Sequence, residues 1–326
     1  MTSTIAIGLI INPMAGRDIR RLVAYASLQS QPEKAQAARR IAAGLAAVPG
    51  VALLVPEDRG GFFPWLKEEL AKIISVDVVP HPPVWEDTTA LWVDMLVRAG
   101  AQALIVVGGD GTQRNVAQAA PPVPVLPIAG GTNNVACFLG DQTAAGYGVG
   151  QFLRHRMDLE QVAQRAKILH VDDGSGQEEL ALIDVVLTRQ NFTGALAVWD
   201  PNDVRALVLA RAQALRPGLS NVGGYLRPVA FSDDLGLAVR LGRGGARVPV
   251  VLAPGLMESF LVKNFETLAF DEPVRLRAGR HGGSLALDGE RTVVLSPNHG
   301  ASVTLRRDGP WTLDPERILG ELRFAR

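Results

Sequence analysis

The first half of the chain alternates short apolar runs with longer segments whose apolar residues recur at helical spacing. This alternation is typical of βαβ units, which build a mostly parallel sheet. The pattern predicts helices over residues 33–48, rich in Ala and Arg, and over residues 87–99, where Thr88 or Thr89 suits the N-cap. It predicts buried strands at residues 5–11, 51–55, 76–79, 104–107 and 123–128. We therefore expect residues 1–165 to form a doubly wound α/β domain.

From about residue 166 the pattern changes to β-branched alternation interrupted by Gly and Pro. This change predicts an antiparallel, β-rich sandwich domain over residues 166–307. Its strands are expected at residues 180–188, 236–241, 248–253, 274–278, 284–287, 292–295 and 302–305. One helix is predicted at residues 201–215, because Pro201 suits a first helical turn. We expect the last segment, residues 308–326, to pack back on the first domain.

Length and charge limit the class of protein. With 326 residues, the chain has the length of two domains of roughly 150 residues each. It carries 33 basic and 33 acidic residues without a long run of either sign, so we expect no nucleic acid partner. The only cysteine, Cys137, cannot form an internal disulfide, which fits a reducing compartment. We therefore expect a cytoplasmic protein.

The apolar runs are too short for a membrane span. The run at residues 5–11 has the length of a strand and no basic leader, so it indicates a strand and not a signal peptide. No stretch elsewhere reaches the roughly 18 apolar residues that a membrane helix needs. The hydrophobic fraction of 47 % is therefore expected to fill soluble cores.

A Gly-Gly-Asp-Gly-Thr loop at residues 108–112 directly follows the predicted strand 104–107. In an open α/β sheet, ligands bind beyond the carboxyl ends of the strands, where glycines let backbone N–H groups approach phosphate. The loop residues expected to bind phosphate are Gly108, Gly109, Gly111 and Thr112. Asp110 would repel phosphate, so we expect it to hold Mg²⁺ or to accept a proton from an attacking hydroxyl. The alternative is a tight turn in which Asp110 only caps a helix.

A second glycine loop, residues 130–134, follows the next predicted strand. Two such loops on neighbouring strands would form one continuous anion-binding surface, which a lone glycine turn could not. The turn after the first strand offers the amide of Asn12 and the guanidinium of Arg17 to a phosphate or an adenine edge, although a simple β-to-α turn also explains it. The phosphate-binding candidates of these two segments are Asn12, Gly130, Gly131, Thr132 and Asn134.

Two segments of the second half could face the first domain across a cleft. Asp288-Gly289-Glu290 lies between predicted strands, and Asp-Gly is a common hairpin turn, so a purely structural role is as well supported as a chemical one. In the functional interpretation, Asp288 or Glu290 is an acid at the cleft. The small-residue loop 218–224, which contains Ser220, could line an acceptor pocket or only turn the chain.

Several enzyme types are excluded. The histidines, at positions 81, 155, 170, 281 and 299, lack metal-ligand spacing, so we expect no zinc site. The sequence has neither a Gly-x-x-x-x-Gly-Lys-Ser/Thr loop nor a nucleophile-elbow serine. P-loop and α/β-hydrolase chemistry are therefore not expected.

The loop at residues 108–112 resembles the hallmark loop of the superfamily that contains NAD kinases, diacylglycerol kinases and sphingosine kinases. Asn12-Pro13, residues 131–134 and residues 288–290 resemble elements of the lipid-kinase branch. Residues 181–187 and 218–224 resemble instead the NAD-kinase strand that carries an Asn-Glu pair and the NAD-kinase Ser-Ala-Gly-Gly loop. This chain has Ile183-Asp184 in place of Asn-Glu. The mixture is most similar to the NAD-kinase-like group called acetoin catabolism protein X.

The resemblance implies a kinase that uses ATP and Mg²⁺ and transfers a phosphoryl group to a hydroxyl of NAD or a related adenosine-containing small molecule. It implies Asp110 as the catalytic residue, with Mg²⁺ held through the phosphates and by Asp110. The acceptor-binding residues that it implies are Asp184, Ser220, Asp288 and Glu290. It also suggests a homo-oligomer.

Two other functions stay open. A lipid or other small-alcohol kinase is supported by Asn12, Asn134 and Glu290, and it would demand an apolar mouth between the domains. A non-catalytic nucleotide-binding accessory protein, linked to acetoin catabolism, would have kept its phosphate loops and lost its acceptor site, for which Ile183 is the sequence evidence. The phosphoryl donor, ATP or polyphosphate, is open as well.

Overall fold

The structure is a computed structural model that describes residues 4–15, 30–85, 87–131, 133–176, 178–190, 200–289 and 291–322. These residues form one mostly parallel sheet with packed helices and two antiparallel sheets. The predicted fold class is confirmed. In the described residues no helix is both long enough and apolar enough to cross a membrane.

The first sheet has the strand order β3-β2-β1-β4-β5-β17-β6. Its strands are β1 (Ile5–Ile11), β2 (Val51–Pro56), β3 (Val76–Val79), β4 (Ala103–Gly108), β5 (Val125–Ala129), β6 (Ala163–Arg165) and β17 (Trp311–Leu313). Strand β1 pairs in parallel with β2 on one side and with β4 on the other, so the strand order reverses there. Such a switch point places the loops after the neighbouring strands at the mouth of a ligand crevice. Asn12 and the 108–112 loop therefore lie side by side.

Helices pack against this sheet around its core. They are α1 (Gln31–Ala46), α2 (Phe62–Leu70), α3 (Thr89–Arg98), α4 (Asp110–Gln118) and α5 (Gln142–His155). Ser30 and Glu33 form a capping box at the start of α1, and Thr88 accepts the N–H of Leu91 at the start of α3, one of the two predicted N-caps. Fully buried side chains such as Ile7, each worth about 1.5–3 kcal/mol, hold helices and sheet together.

The second half of the chain forms two antiparallel sheets, ordered β12-β11-β10-β9-β14-β15 and β13-β16-β7-β8. The strands are β7 (Ile168–Asp172), β8 (Glu178–Ala181), β9 (Asp184–Thr188), β10 (Val204–Leu209), β11 (Gly236–Ala253), β12 (Leu256–Leu268), β13 (Pro273–Arg277), β14 (Gly283–Leu287), β15 (Arg291–Leu295) and β16 (Gly300–Arg306). Side chains of both sheets, among them Val185 and Val303, share one buried cluster. The sheets therefore stack as a sandwich.

The predicted helix at residues 201–215 is wrong, because this segment contains β10. Ala, Arg and Leu in this segment favour a helix, but β10 lies between β9 and β11 and is almost entirely buried. A strand buried on both faces shows a continuous apolar run without alternation, so tertiary packing overrides local propensity.

Three other expectations of the second half need correction. The predicted strand at residues 180–188 is two strands, β8 and β9, which belong to different sheets. The segments 236–241 and 248–253 are parts of one bulged strand, β11. The predicted loop at residues 218–224 contains a helix, α7 (Ser220–Leu226), which packs against β11 because Val222 is fully buried there.

The end of the described chain returns to the first sheet. Strand β17 pairs in parallel with β5 and antiparallel with β6. Helix α8 (Pro315–Glu321) contacts α5 and the short helix α6 (Leu159–Val162). Asp314 caps α8, and Ile318 is fully buried in the first core.

Candidate functional site

The loop at residues 108–112 turns directly from β4 into α4 and packs against the second glycine loop. The N–H of Gly130 donates to the carbonyl oxygen of Gly108 at 3.0 Å. A Cβ added to Gly131 would lie 2.5 Å from Cα of Gly109, closer than real Cβ atoms approach backbone. The glycines therefore allow the two loops to meet backbone to backbone.

Asn134 closes the second loop on itself. Its Oδ1 accepts the N–H groups of Gly130 at 3.2 Å and of Gly131 at 3.0 Å, and its Nδ2 donates to the carbonyl oxygen of Gly131 at 2.7 Å. The predicted continuous anion-binding surface therefore does not include these two amides in this conformation, because the side chain of Asn134 already occupies them.

Asp110 is 4 % exposed and binds the segment that follows the second loop. Its carboxylate accepts the N–H groups of Val135 at 3.1 Å and Ala136 at 2.8 Å, and its own N–H donates to the carbonyl oxygen of Asn133 at 3.0 Å. A carboxylate has about four lone-pair sites. Asp110 thus has a structural role, but it does not cap the helix as the alternative expected, because the N-cap of α4 is Gly109 and the carboxylate binds Val135 and Ala136 instead. It also lines a cleft between the two halves of the chain.

Asn12 joins the turn after β1 to the start of α4. Its Nδ2 donates to Oγ1 of Thr112 at 2.9 Å, and its Oδ1 accepts the N–H of Met14 at 2.9 Å. The Asn12 amide, which was expected to contact a phosphate or an adenine edge, therefore holds two loops together at the switch point.

The first turn of α4 points N–H donors toward this site. The first four N–H groups of a helix have no partner within it, and here Asp110 donates to Asn133 while Gln113 donates to the carbonyl oxygen of Gly109 at 3.1 Å. The other two N–H groups of this first turn belong to Gly111 and Thr112. Together with the positive end of the helix dipole, they are the groups of the loop best suited to an anion.

Asp288 lies in the turn between β14 and β15, where Asp288 has a φ of 49° and Gly289 a φ of 73°. Two consecutive residues with positive φ are the conformation for which Asp-Gly is favoured in hairpins. Asp288 and Gly289 therefore have the structural role of a hairpin turn, which the sequence had left as one of two possibilities.

The Asp288 carboxylate also holds the bend between β8 and β9. It accepts the N–H groups of Leu182 at 2.9 Å, Ile183 at 2.8 Å and Asp184 at 3.1 Å. Burial raises the pKa of Asp288 to about 6 against the lowering effect of these donors, and the nearby Asp110 carboxylate adds to the rise.

Residues of both halves of the chain line a narrow cleft of about 30 Å³. Three carboxylates border it, those of Asp110, Asp184 and Asp288. Within the described residues, Oγ of Ser220 and Oδ1 of Asn133 are buried there without a hydrogen-bond partner. An unsatisfied buried polar atom costs about 1–3 kcal/mol and is rare. Two of them in one cleft indicate a place for a polar ligand.

The fold brings together most of the predicted site residues, although they come from distant parts of the sequence. Asp110, Asp184, Ser220 and Asp288 line the cleft directly. Thr132 and Glu290, like Arg17, lie outside the described residues. Asn133 lines the cleft as well, although it was not among the site residues predicted from the sequence. Its only signal was its place in the Asn-Asn pair of the second loop.

The donor set is compatible with a nucleotide and Mg²⁺ but does not form a complete cation site. No group of three or more His, Cys, Asp or Glu side chains in the described residues could hold a metal ion by itself. Mg²⁺ usually binds through one or two carboxylates together with substrate phosphates and water. Asp110 beside the N–H groups of Gly111 and Thr112 fits that arrangement.

Comparisons with known proteins agree with this architecture. Residues 7–146 match the family described as the ATP-NAD kinase N-terminal domain, and residues 167–308 match the acetoin catabolism protein X C-terminal domain. Over 314 residues the chain is 32 % identical to the acetoin catabolism protein X of Cupriavidus necator. This match covers 92 % of this chain and 87 % of that protein.

The fold is also that of a solved kinase structure. The crystal structure of yeast NADH kinase complexed with NADH matches with a TM-score of 0.55 and 14 % sequence identity, over 99 % of this chain and 88 % of that chain. At this identity the likeness establishes the fold alone.

Proposed function

The chain belongs to the acetoin catabolism protein X family, whose fold is that of the NAD kinases, and from this premise we propose that it is a phosphotransferase. The proposed reaction moves a phosphoryl group from ATP to a hydroxyl of NAD or a related adenosine-containing molecule. The observation that carries the proposal is the pair of buried, unpartnered oxygens, Ser220 Oγ and Asn133 Oδ1, in a cleft that Asp110 lines.

The acceptor binds on the carboxylate side of the cleft in this proposal. Carboxylates repel phosphates but accept hydrogen bonds from hydroxyls, so Asp184 and Asp288 suit a ribose better than a phosphate. Ser220 Oγ and Asn133 Oδ1 add acceptors for further hydroxyl or amino groups of the ligand. Ile183, which replaces the expected amide, lines the same cleft and offers an apolar contact.

Asp110 is the proposed proton acceptor. It is the first residue of α4 and borders the cleft together with Asp184 and Asp288, so an acceptor hydroxyl in the cleft could meet a phosphoryl group beside it. The N–H groups of Gly111 and Thr112 orient the phosphates of the donor. Mg²⁺, held by those phosphates and by Asp110, neutralises phosphate charge when bound. Phosphoryl transfer of this kind depends mainly on positioning and charge stabilisation.

A polar acceptor is favoured over a lipid. Six apolar side chains and five polar ones line this cleft, and the polar ones are those of Asp110, Asn133, Asp184, Ser220 and Asp288. Three of these five are carboxylates, which suit hydroxyl groups of an acceptor and not the hydrocarbon chain of a lipid. The small-alcohol acceptors nevertheless belong in the test.

A cytoplasmic location and a homo-oligomeric state are part of the same proposal.

The test is a transfer assay with labelled ATP and Mg²⁺ against NAD, NADH, nucleosides, diacylglycerol and sphingoid bases. We expect a labelled product with a dinucleotide or nucleoside. Ser220→Ala should raise the acceptor KM about tenfold, the value of one hydrogen bond. The control Ser302→Ala, on β16 and outside the cleft, should behave as the parent chain.

Asp110→Asn separates catalysis from binding. This variant should lose transfer and keep ATP binding, which calorimetry measures together with the unfolding free energy, since Asn can no longer accept both the Val135 and the Ala136 N–H groups. Retained transfer would remove Asp110 from the mechanism. Binding of ATP or NAD by the parent chain without a labelled product from any acceptor would contradict the phosphotransferase proposal and support a non-catalytic nucleotide-binding protein.

A further inference from the structure

A second and larger cavity shares Val135 with the cleft. Its volume is about 580 Å³. The first domain contributes Pro127, the second contributes Phe231, and the returning strand β17 contributes Thr312. Val135 lines both spaces: its N–H donates to Asp110, and its carbonyl oxygen accepts a bond from a residue of the second cavity.

That residue is Arg211, which is 8 % exposed. Its Nη1 donates to Val135 at 3.2 Å, and its guanidinium lies 4.3 Å from the ring centre of Phe231. Its Nε is buried and has no hydrogen-bond partner among the residues that the structure describes. Burial lowers the pKa of Arg211 to about 10, so the group stays charged at neutral pH.

Arg216 is a second cation on the same cavity. Its Nε donates to Oε1 of Gln213 at 3.4 Å, whereas its Nη1 is buried without a partner in the described chain. Neither arginine forms an ion pair with any described residue.

Acidic residues at the cavity do not neutralise these arginines. Asp314 accepts the N–H groups of Glu316 and Arg317 at the start of α8 and pairs with the Arg317 side chain at 3.4 Å. Glu316 is exposed at the rim. Asp110 interacts with Arg211 electrostatically, but the hydrogen bonds of its carboxylate come from the N–H groups of Val135 and Ala136.

A buried charge without an ion pair in direct contact is costly, and a bound anion reduces that cost. The planar guanidinium, with its fixed fork of donors, matches the oxygens of a phosphate group. We propose that this cavity binds a small phosphate-bearing molecule through Arg211 and Arg216, at a site separate from the Asp110 cleft. The proposal goes beyond phosphotransfer and does not depend on it.

Calorimetry with inorganic phosphate and with pyrophosphate, in the absence of ATP, tests the site. Arg216→Gln should weaken binding at least tenfold. Arg211→Lys keeps the charge and loses the forked geometry, so it should weaken binding as well without leaving a hole in the core. Arg98→Gln removes the same charge from the exposed surface of α3 and is the matched control.

The outcomes are distinct. Unchanged affinity in both cavity variants would overturn the proposal, as would the absence of any phosphate binding by the parent chain. Because none of these measurements needs turnover, a failed kinase assay would not affect them.

Cys137 gives a local readout, because it lines this cavity and is the chain's only cysteine. Burial raises the pKa of its thiol, so alkylation by a small reagent is slow in the parent chain. Phosphate should slow it further by at least threefold, and this protection should disappear in Arg216→Gln. Phosphate binding without protection of Cys137 would place the anion elsewhere and overturn the assignment.

Discussion

Asn12 and Thr112, one hundred positions apart, are joined by a hydrogen bond of 2.9 Å from Nδ2 to Oγ1. This bond ties the turn after β1 to the first turn of α4, at the point where the strand order of the sheet reverses. Of the two residues, only Thr112 belongs to the glycine loop. Asn12 supports the site from the neighbouring strand.

Thr112→Val should therefore destabilise the chain. The substitution keeps the shape of the side chain and leaves a partly buried amide donor of Asn12 without this acceptor, which costs about 1 kcal/mol. Urea unfolding measures the difference. Thr304→Val, on a strand of the four-stranded sheet, is the control and should change stability little. Equal stability of the two variants would show that the Asn12 bond contributes nothing.

Gly131→Ala should disrupt the contact between the glycine loops. Its Cβ would lie 2.5 Å from Cα and 2.8 Å from N of Gly109, and both are backbone atoms that cannot rotate away. We expect a loss of about 1–3 kcal/mol, the usual range for overpacking, and weaker nucleotide binding. The matched control is Gly320→Ala in α8, where nothing lies within 4 Å of the added Cβ. A Gly131→Ala chain as stable as this control would refute the close contact.

Asp288 should make stability depend on pH. Its folded pKa of about 6 lies above the ordinary value of 3.8, so the folded chain binds the proton more tightly than the unfolded chain. Its contribution to stability is therefore fully present below about pH 4 and is lost as the pH rises through 6.

Asp288→Asn should abolish this dependence. Asparagine stays neutral and tolerates the positive φ of 49° at this turn. Unfolding free energies from pH 4 to 7 should fall with rising pH by roughly 1–3 kcal/mol more in the parent chain than in the variant. The exposed Asp77→Asn serves as the control. Identical pH profiles for the parent chain and Asp288→Asn would contradict the prediction.

The pattern of apolar residues predicted the first sheet well, because its strands and helices repeat a local unit. Strands β1 and β3 have the predicted bounds, and β2, β4 and β5 differ by one or two residues at their ends. The same method failed at β10. There, burial between two neighbouring strands, which no local pattern reports, decides between helix and strand.

The sequence by itself determined the two kinds of domain, the strand-to-helix position of the 108–112 loop and the carboxylates that border the cleft, since glycines, turns and apolar periods act over a few residues. Only the tertiary structure decided how these groups are used. Asn134 occupies the amides of Gly130 and Gly131, and Asp288 holds a bend more than one hundred positions away. Arg211 and Arg216 carried no signal in the sequence, because a charge without an ion-pair partner is defined by what surrounds it in space.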